Sequence, residues 1–236
     1  MIMRLLLAAA FFATALAAHA DEGAVRRMMQ NKLSGGGAIE SLQKAPWGDL
    51  YEVVVRGPNG PLIYYVDGAA TVVIAGQAID AKSGRNLTEE RQRKLTAIKW
   101  ESLPFQWAIT SVRDSGRRKI AILSDPNCPY CRQLETNLAK LDDITVHILP
   151  YPVISPKSVW CSTDRAKAWN DLMLQRVEPR AAPDCDTPIE KLVAFGRSIG
   201  ANSTPTWFIE SGERFSGALP LEEVRRLLDK ASPQKR

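Results

Sequence analysis

The chain has 236 residues, of which 45% are hydrophobic, and its Lys and Arg side chains outnumber Asp and Glu by 31 to 26. An excess this small, with no long block of like charge, does not predict nucleic-acid binding. A chain of this length is expected to form one or two domains.

Residues 1–20 have the pattern of a secretory signal peptide. Arg4 precedes an apolar run from Leu5 to Ala18, and the segment ends on Ala18, His19 and Ala20, which form a small-residue cleavage site. The alternative is a transmembrane anchor, but that needs about 20 apolar residues, and this run is shorter. We therefore expect export to an oxidising compartment, where disulfides form and persist.

Strand-like runs at close intervals predict a small antiparallel sheet within residues 21–86. The segment Asp21–Asn31 before them suits either a helical turn or a loose arm. The runs are Ile39–Lys44, Leu50–Arg56, Leu62–Val66 and Thr71–Ala75, with turn residues between them. Such a sheet is near the lower size limit for a sufficient core. The apolar surface of this sheet could be covered by a partner protein or by the rest of the chain.

A charged helical stretch follows, and it predicts a linker helix over residues 87–104. Thr88 is the expected cap, Glu89 opens the helix, and the stretch continues to about Leu103 before Pro104 ends it. Its mostly polar surface suits a helix that bridges two domains in solvent. The second domain is then expected over residues 105–236.

The second half alternates strands and helices, so the chain as a whole is predicted to be α+β. The strand, helix, strand order around residue 130 predicts a parallel pair of strands joined by a crossover helix. The predicted strands are Phe105–Arg113, Lys119–Ser124, Ile144–Leu149, Thr206–Ile209 and Glu213–Ser216, and the predicted helices are Tyr130–Leu141, Ile189–Ile199 and Leu221–Lys230, with a further helical region over Ser158–Val177.

Four cysteines allow three disulfide pairings, and the two-residue gap between Cys128 and Cys131 favours pairing these two and, by remainder, Cys161 with Cys185. The gap also fits a static disulfide or half of a zinc site. Zinc needs further ligands, yet the one histidine after residue 20 is His147, inside a predicted strand. We therefore expect no metal and no other cofactor.

The position of the cysteines predicts a redox-active dithiol. Cys128 precedes a helix that Pro129 can begin, because proline lacks the N–H that would be unpaired there. The free N–H groups of a helix start stabilise a thiolate, so the pKa of Cys128 should lie below that of a free cysteine. Cys131, one turn later, is the expected resolving thiol.

These residues, together with Thr204 and Pro205 immediately before a later strand, resemble the thioredoxin fold, whose members hold that proline cis beside the dithiol. A more specific resemblance is to periplasmic protein disulfide isomerases of the DsbC/DsbG type. It covers nearly the whole chain after residue 20 and includes the segment Ser124–Cys131 and the pattern Tyr65–Gly68.

That resemblance implies a cystatin-like dimerisation domain, a linker helix, and a thioredoxin-like domain with a helical insertion. It also implies a catalytic pair of Cys128 and Cys131, a structural disulfide at Cys161 and Cys185, and substrate contacts at Pro129, Tyr130, Thr204 and Pro205. The implied setting is a periplasmic homodimer that acts on misfolded secreted proteins with disulfides and is recharged by a membrane thiol reductase of the DsbD type.

Two departures from thioredoxin argue against a general cytosolic reductase. Asn127 replaces the tryptophan before the first cysteine, and Ile122 stands where thioredoxin has a buried acid. Pro129 resembles the DsbG-like branch. A dithiol oxidase of the same fold and a holdase chaperone remain alternatives to the isomerase, because the direction of the reaction depends on the reduction potential and on the partner that recharges the site. For Asp125 a turn role is favoured over a role as proton partner.

Overall fold

The computed structural model describes residues 22–33, 37–57, 60–154 and 156–232. The chain divides into two compact units between Gln77 and Ala78. The predicted signal peptide at residues 1–20 lies outside the described residues. Each unit has its own sheet with helices beside it, which confirms the α+β class.

The first unit packs one helix on a four-stranded antiparallel sheet. Helix α1 (Glu22–Lys32) precedes strands β1 (Ala38–Lys44), β2 (Leu50–Gly57), β3 (Gly60–Asp67) and β4 (Val73–Ile74), which lie in chain order. Val25 and Met29 of α1 are buried against Val53 and Val55 of β2. These valines are two residues apart and so share one face of the sheet.

The second unit contains a five-stranded sheet in the order β5-β7-β6-β8-β9. The pair β6 and β7 is parallel, as predicted, and its crossover helix is α3; the other pairs are antiparallel. The strands are β5 (Ile109–Arg113), β6 (Arg118–Ser124), β7 (Ile144–Pro150), β8 (Thr206–Ile209) and β9 (Arg214–Ser216), and the helices are α2 (Leu87–Leu95), α3 (Pro129–Leu138), α4 (Lys157–Cys161), α5 (Arg165–Asn170), α6 (Ile189–Ser198) and α7 (Leu221–Ala231).

Strand β6 has buried side chains on both faces of the sheet. Ile120 and Ile122 point into the core layer that contains residues of α3 and α7. Ala121 and Leu123 point into the opposite layer, with Leu192 of α6. Because β6 is paired on both sides and covered on both faces, it is a firm support for the loop that carries the cysteines.

The predicted linker helix is shorter than expected, because α2 ends at Leu95 and not near Leu103. After it, the N–H of Ile98 donates to the carbonyl of Gly212, and a 3₁₀ turn over Trp100–Ser102 takes Trp100 into the core. Tertiary contacts of this segment thus replace the helix. The predicted helix cap, Thr88, was also wrong. The N-cap is Asn86, whose side chain accepts a hydrogen bond from the N–H of Glu89.

Two further elements differ from the sequence expectation. Strand β5 begins at Ile109, since Phe105–Trp107 forms a 3₁₀ turn. The helical region after residue 157 is broken because Asp164 caps a new helix, accepting from the N–H of Lys167, and that helix continues as a π-helix over Asp171–Gln175. Residues of these segments, including Trp160 and Trp169, complete the core layer on the α3 side.

Candidate active site

The loop after β6 delivers both cysteines of the predicted pair to the start of α3. Cys128 is the N-cap of α3 and Pro129 its first residue, as the sequence predicts. In the loop, the carboxylate of Asp125 accepts from the N–H of Asn127 at 2.8 Å, and its carbonyl accepts from the N–H of Cys128 at 3.0 Å. Asp125 therefore fixes the turn that presents the Cys128 thiol.

Cys128 and Cys131 are free thiols in different surroundings. Cys128 is partly buried, which by itself raises the pKa of its thiol, but hydrogen bonds from the Cys131 backbone N–H and the Thr204 side chain outweigh burial. The pKa of Cys128 therefore lies below its ordinary value of 9.0. A thiolate at Cys128 is stabilised by its position at the helix start.

Cys131 is fully buried on the inner face of α3. Burial raises the pKa of its thiol to about 12, although the backbone N–H of Asp125, 3.4 Å from its Sγ, and the Ser124 side chain both act to lower it. The geometry therefore gives one thiol that ionises more easily than a free cysteine and one that keeps its proton at neutral pH.

The segment before β8 faces the first cysteine. The Sγ of Cys128 lies 3.3 Å from the carbonyl oxygen of Thr204. The peptide bond between Thr204 and Pro205 is cis, and the Pro205 carbonyl accepts from the N–H of Gly217 at 2.9 Å. The structure thus brings Thr204 and Pro205 to the dithiol.

Two predicted contact residues lie on the surface around Cys128. Pro129 is exposed and the Tyr130 side chain is 61% exposed, which is high for an aromatic residue. They follow Cys128 directly, at the start of α3. An incoming chain that reaches the Cys128 thiol would therefore meet apolar surface.

Cys161 and Cys185 form a disulfide with Cα atoms 5.6 Å apart. The bond joins the end of α4 to the loop before α6, and Cys185 packs against the core layer that contains α3. It closes the segment that contains α5 and the π-helix.

Sequence reasoning missed Glu135, a carboxyl group in the core beside the dithiol. On the inner face of α3 it lies one turn after Cys131 and among Leu134 and Leu138. Its two oxygens accept from the Ser124 hydroxyl at 2.5 Å and from the Trp169 ring N–H at 2.7 Å. An acid on an otherwise apolar helix face was the signal that could have found it.

Burial of Glu135 raises the pKa of its carboxyl group to about 7, and the hydrogen bonds from Ser124 and Trp169, together with the charge of Arg132, oppose that rise. A carboxyl group with this pKa can give up or take a proton near neutral pH. Ile122 stands where thioredoxin has a buried acid, and in this chain Glu135 on α3 is a buried acid at a different position.

Other predicted features have ordinary structural explanations. His147 lies in β7, where its Nδ1 is 2.8 Å from the Thr110 hydroxyl, and burial lowers the pKa of its ring. Within the described residues there is no group of three or more His, Cys, Asp or Glu side chains that could hold a metal ion. No helix in the described part of the chain is long and apolar enough to cross a membrane.

Two family models match the chain, one in each half. Residues 16–89 match the N-terminal domain of disulfide bond isomerase proteins, and residues 105–232 match a thioredoxin-like domain. Together the two matches cover most of the sequence and leave out residues 1–15, 90–104 and 233–236.

Named relatives agree with these matches. A probable thiol:disulfide interchange protein DsbC of Bordetella pertussis is 39% identical over 196 residues, which cover 80% of this chain and 68% of the relative. The thiol:disulfide interchange protein DsbC of Escherichia coli K12 is 25% identical over 225 residues, covering 90% and 89%. A disulfide interchange protein structure from Neisseria gonorrhoeae, 33% identical, superimposes with a TM-score of 0.51 over 56% of this chain and 100% of that one.

Proposed function

Because the chain belongs to the DsbC family of thiol:disulfide interchange proteins and is a thiol-disulfide oxidoreductase, we propose that it isomerises or reduces incorrect disulfides in secreted proteins. The observation that carries this proposal is the contrast between its two free thiols. Cys128 is accessible and has a lowered pKa, whereas Cys131 is buried and has a raised one. Such a pair suits one attacking and one resolving thiol.

The first step of the proposed reaction uses Cys128 alone. Its thiolate attacks one sulfur of a wrong disulfide in the substrate, a new S–S bond forms, and the second substrate sulfur departs as a thiolate with the electrons of the broken bond. The N–H groups at the start of α3 and the Thr204 side chain hold the attacking charge before the step.

The mixed disulfide has two exits. In isomerisation another thiol of the substrate attacks the substrate sulfur and releases Cys128 as a thiolate, so no electrons are gained or lost overall. In reduction Cys131 attacks Cys128, the substrate receives two electrons, and the enzyme is left with a Cys128–Cys131 disulfide. A membrane thiol reductase of the DsbD type is the proposed donor that reduces it again.

Thr204, Pro205, Pro129 and Tyr130 are the proposed substrate contacts. The position of the Thr204 carbonyl beside the Cys128 sulfur supports this, since a bound chain must approach the same sulfur. Extended chains bind beside accessible backbone and apolar side chains, and here Thr204 is partly exposed whereas Pro205 is buried. The exposed Tyr130 ring provides apolar contact area that any unfolded chain can use.

Refolding of a secreted protein with scrambled disulfides tests the catalytic assignment. Cys128→Ser should abolish the recovery of activity, and Cys131→Ser should keep isomerisation while it accumulates mixed disulfides. Glu190→Gln, on the exposed start of α6, is the control and should behave as wild type. Full activity in Cys128→Ser would sink the enzyme proposal and leave a holdase.

Thiol trapping in the native compartment tests the direction of the reaction. An isomerase or reductase needs Cys128 and Cys131 reduced, so rapid acid quenching and alkylation should find both thiols free. A pair found mostly oxidised would instead indicate the dithiol oxidase, because direction depends on the redox poise of the site.

We also propose that residues 21–86 form a homodimer in the periplasm, to which residues 1–20 direct the chain. Support comes from two exposed apolar side chains that lie two positions apart at the edge strand β4 of the first unit, Val72 and Ile74. Apolar surface of this kind marks protein interfaces when it is clustered. Sedimentation of the chain without residues 1–20 should give the mass of two copies; a concentration-independent monomer would contradict the dimer.

A further inference from the structure

The turn before Cys128 lines a cavity that the proposed reaction does not use. The cavity has a volume of about 280 Å³, and Pro126 and Asn127 of the turn form part of its wall. The rest of the wall comes from α3, the π-helix and the segments next to them, with Arg132, Pro156, Leu172, Arg176 and Glu178. Because Asn127 is exposed and directly precedes Cys128, this cavity can be reached from solvent within one residue of the attacking thiol.

Arg132, on α3, is a positive charge held at a fixed place in this wall. Its guanidinium group donates to the carbonyls of Leu172 and Met173 in the π-helix and to the carbonyl of Pro126, at 3.1 Å, in the turn. Carbonyl oxygens orient a guanidinium group but carry no net charge, so they leave its positive charge uncompensated. The turn and the π-helix together therefore fix a cation beside the cavity.

Arg176 adds a second positive charge to the same wall. It is the C-cap of the π-helix and has a φ of 59°, in the left-handed region where glycine or asparagine is usual. The local backbone therefore does not favour arginine at this position. Arg176 is exposed, and its side chain forms no ion pair with the carboxylates that the structure describes. It is thus available to pair with an incoming anion.

Glu178 is the acid in this cavity wall. It is exposed and forms no salt bridge with Arg132 or Arg176, and the other lining residues are uncharged. Two arginines against one glutamate leave the wall with an excess of one positive charge. The planar fork of an arginine side chain matches the two oxygens of a carboxylate. The cavity therefore favours a carboxylate over a neutral or positive group.

We propose that this cavity is a substrate subsite for an acidic side chain close in sequence to the cysteine that Cys128 attacks, with Arg176 as its specificity-determining contact. An extended chain advances about 3.3 Å per residue, so an acid one or two positions from that cysteine can reach the wall beside Asn127. The subsite rests on the proposed function for the attack by Cys128. It gives that reaction a preference among substrate disulfides, because an acid near one of them adds a contact.

The test compares peptides that differ in a single charge, with the reduced full chain without residues 1–20. Each peptide has one cysteine, activated as a mixed disulfide with a neutral thiopyridine. Attack by the Cys128 thiolate forms the bond to the peptide sulfur, and the thiopyridine departs with the electrons of the broken bond, which absorbance follows. Peptides with Glu or Gln two positions before the cysteine, and others with the same residues two positions after it, cover both chain directions.

The informative quantity is the rate with the Glu peptide divided by the rate with the Gln peptide. Within one variant this ratio cancels any change in the reactivity of Cys128. For one chain direction it should fall about three-fold in Arg176→Gln, which is the size of an exposed ion pair, and it should be largely kept in Arg176→Lys. Glu178→Gln removes the opposing acid and should raise the ratio. Salt at 1 M should bring wild type and Arg176→Gln together, because the screening length falls to about 3 Å.

Arg197→Gln is the matched control. It makes the same charge change on the exposed last turn of α6, outside the cavity, and should leave the ratio unchanged. An unchanged ratio in Arg176→Gln for both chain directions would overturn the subsite. An equal fall in Arg197→Gln would also overturn it, because that would indicate a general charge effect.

Failure of the subsite and failure of the proposed function give different results. A chain that does not recover scrambled proteins but shows the expected peptide ratios contradicts the proposed function alone. A chain that recovers them while the ratio is the same in wild type and Arg176→Gln contradicts the subsite alone.

Discussion

The buried carboxyl group of Glu135 should make the free energy of unfolding depend on pH. We consider Glu135→Gln, which replaces an ionisable side chain by a neutral one of the same size. In the folded chain the pKa of Glu135 is about 7, and its ordinary value is 4.5. Between these two pH values the carboxyl group of Glu135 is therefore mostly protonated in the folded state and mostly ionised in the unfolded state.

The sign follows from proton linkage. Between pH 4.5 and 7 the folded state binds more protons at this site, so stability is fully present below pH 4.5 and is lost as the pH rises through about 7. Each pH unit of difference corresponds to about 1.4 kcal/mol, which gives a total loss of about 3 kcal/mol. Glutamine carries no such proton, so the variant should not show this loss.

Urea unfolding at several pH values between 4 and 8, followed by tryptophan fluorescence, measures the effect. All other carboxyl groups titrate in both proteins, so the informative quantity is the difference in unfolding free energy between Glu135→Gln and wild type. It should move by about 3 kcal/mol in favour of the variant as the pH rises from 4.5 to 8. A difference that does not vary with pH would refute the reasoning and place the Glu135 pKa near its ordinary value.

Three further outcomes are expected. Iodoacetamide should modify Cys128 in the folded chain near neutral pH, where a thiol with an ordinary pKa reacts more slowly, and a rate equal to that of a free cysteine would contradict the lowered pKa. Replacing Cys161 and Cys185 together by Ala should cost about 3–4 kcal/mol in urea unfolding, because the bond closes a loop with a sequence separation of 24; an unchanged midpoint would contradict this. Gly196→Ala would place a Cβ 2.2 Å from the Tyr151 ring and should cost about 1–3 kcal/mol, and a stabilised variant would show that the ring can move away.

Local sequence patterns were sufficient for the elements that position the dithiol. A run of buried aliphatic residues ending at Ser124, a turn at Asp125 and a proline at position 129 each carry a local signal, and the structure has the strand, turn and helix there. These features depend on residues close together in the chain, which is why a pattern can reveal them.

Features that depend on distant residues were not predictable in the same way. The helix after Asn86 stops early because Ile98 pairs with Gly212, more than a hundred positions away. Glu135 is in the core because Trp169 covers it, 34 positions downstream. The periodicity of apolar residues shows on which face of a helix a residue lies. Which residue packs against that face depends on tertiary contacts that local sequence does not show.

The difference in burial between the two cysteines has a kinetic consequence for how a mixed disulfide partitions. A thiolate of low pKa is a good leaving group, so the lowered pKa of Cys128 speeds its departure when a substrate thiol attacks. The raised pKa of Cys131 delays the competing attack from inside the protein. In the proposed reaction, the burial of Cys131 therefore determines the lifetime of the mixed disulfide. That lifetime is the time in which another substrate thiol can attack and form the correct disulfide before Cys131 releases the substrate in reduced form.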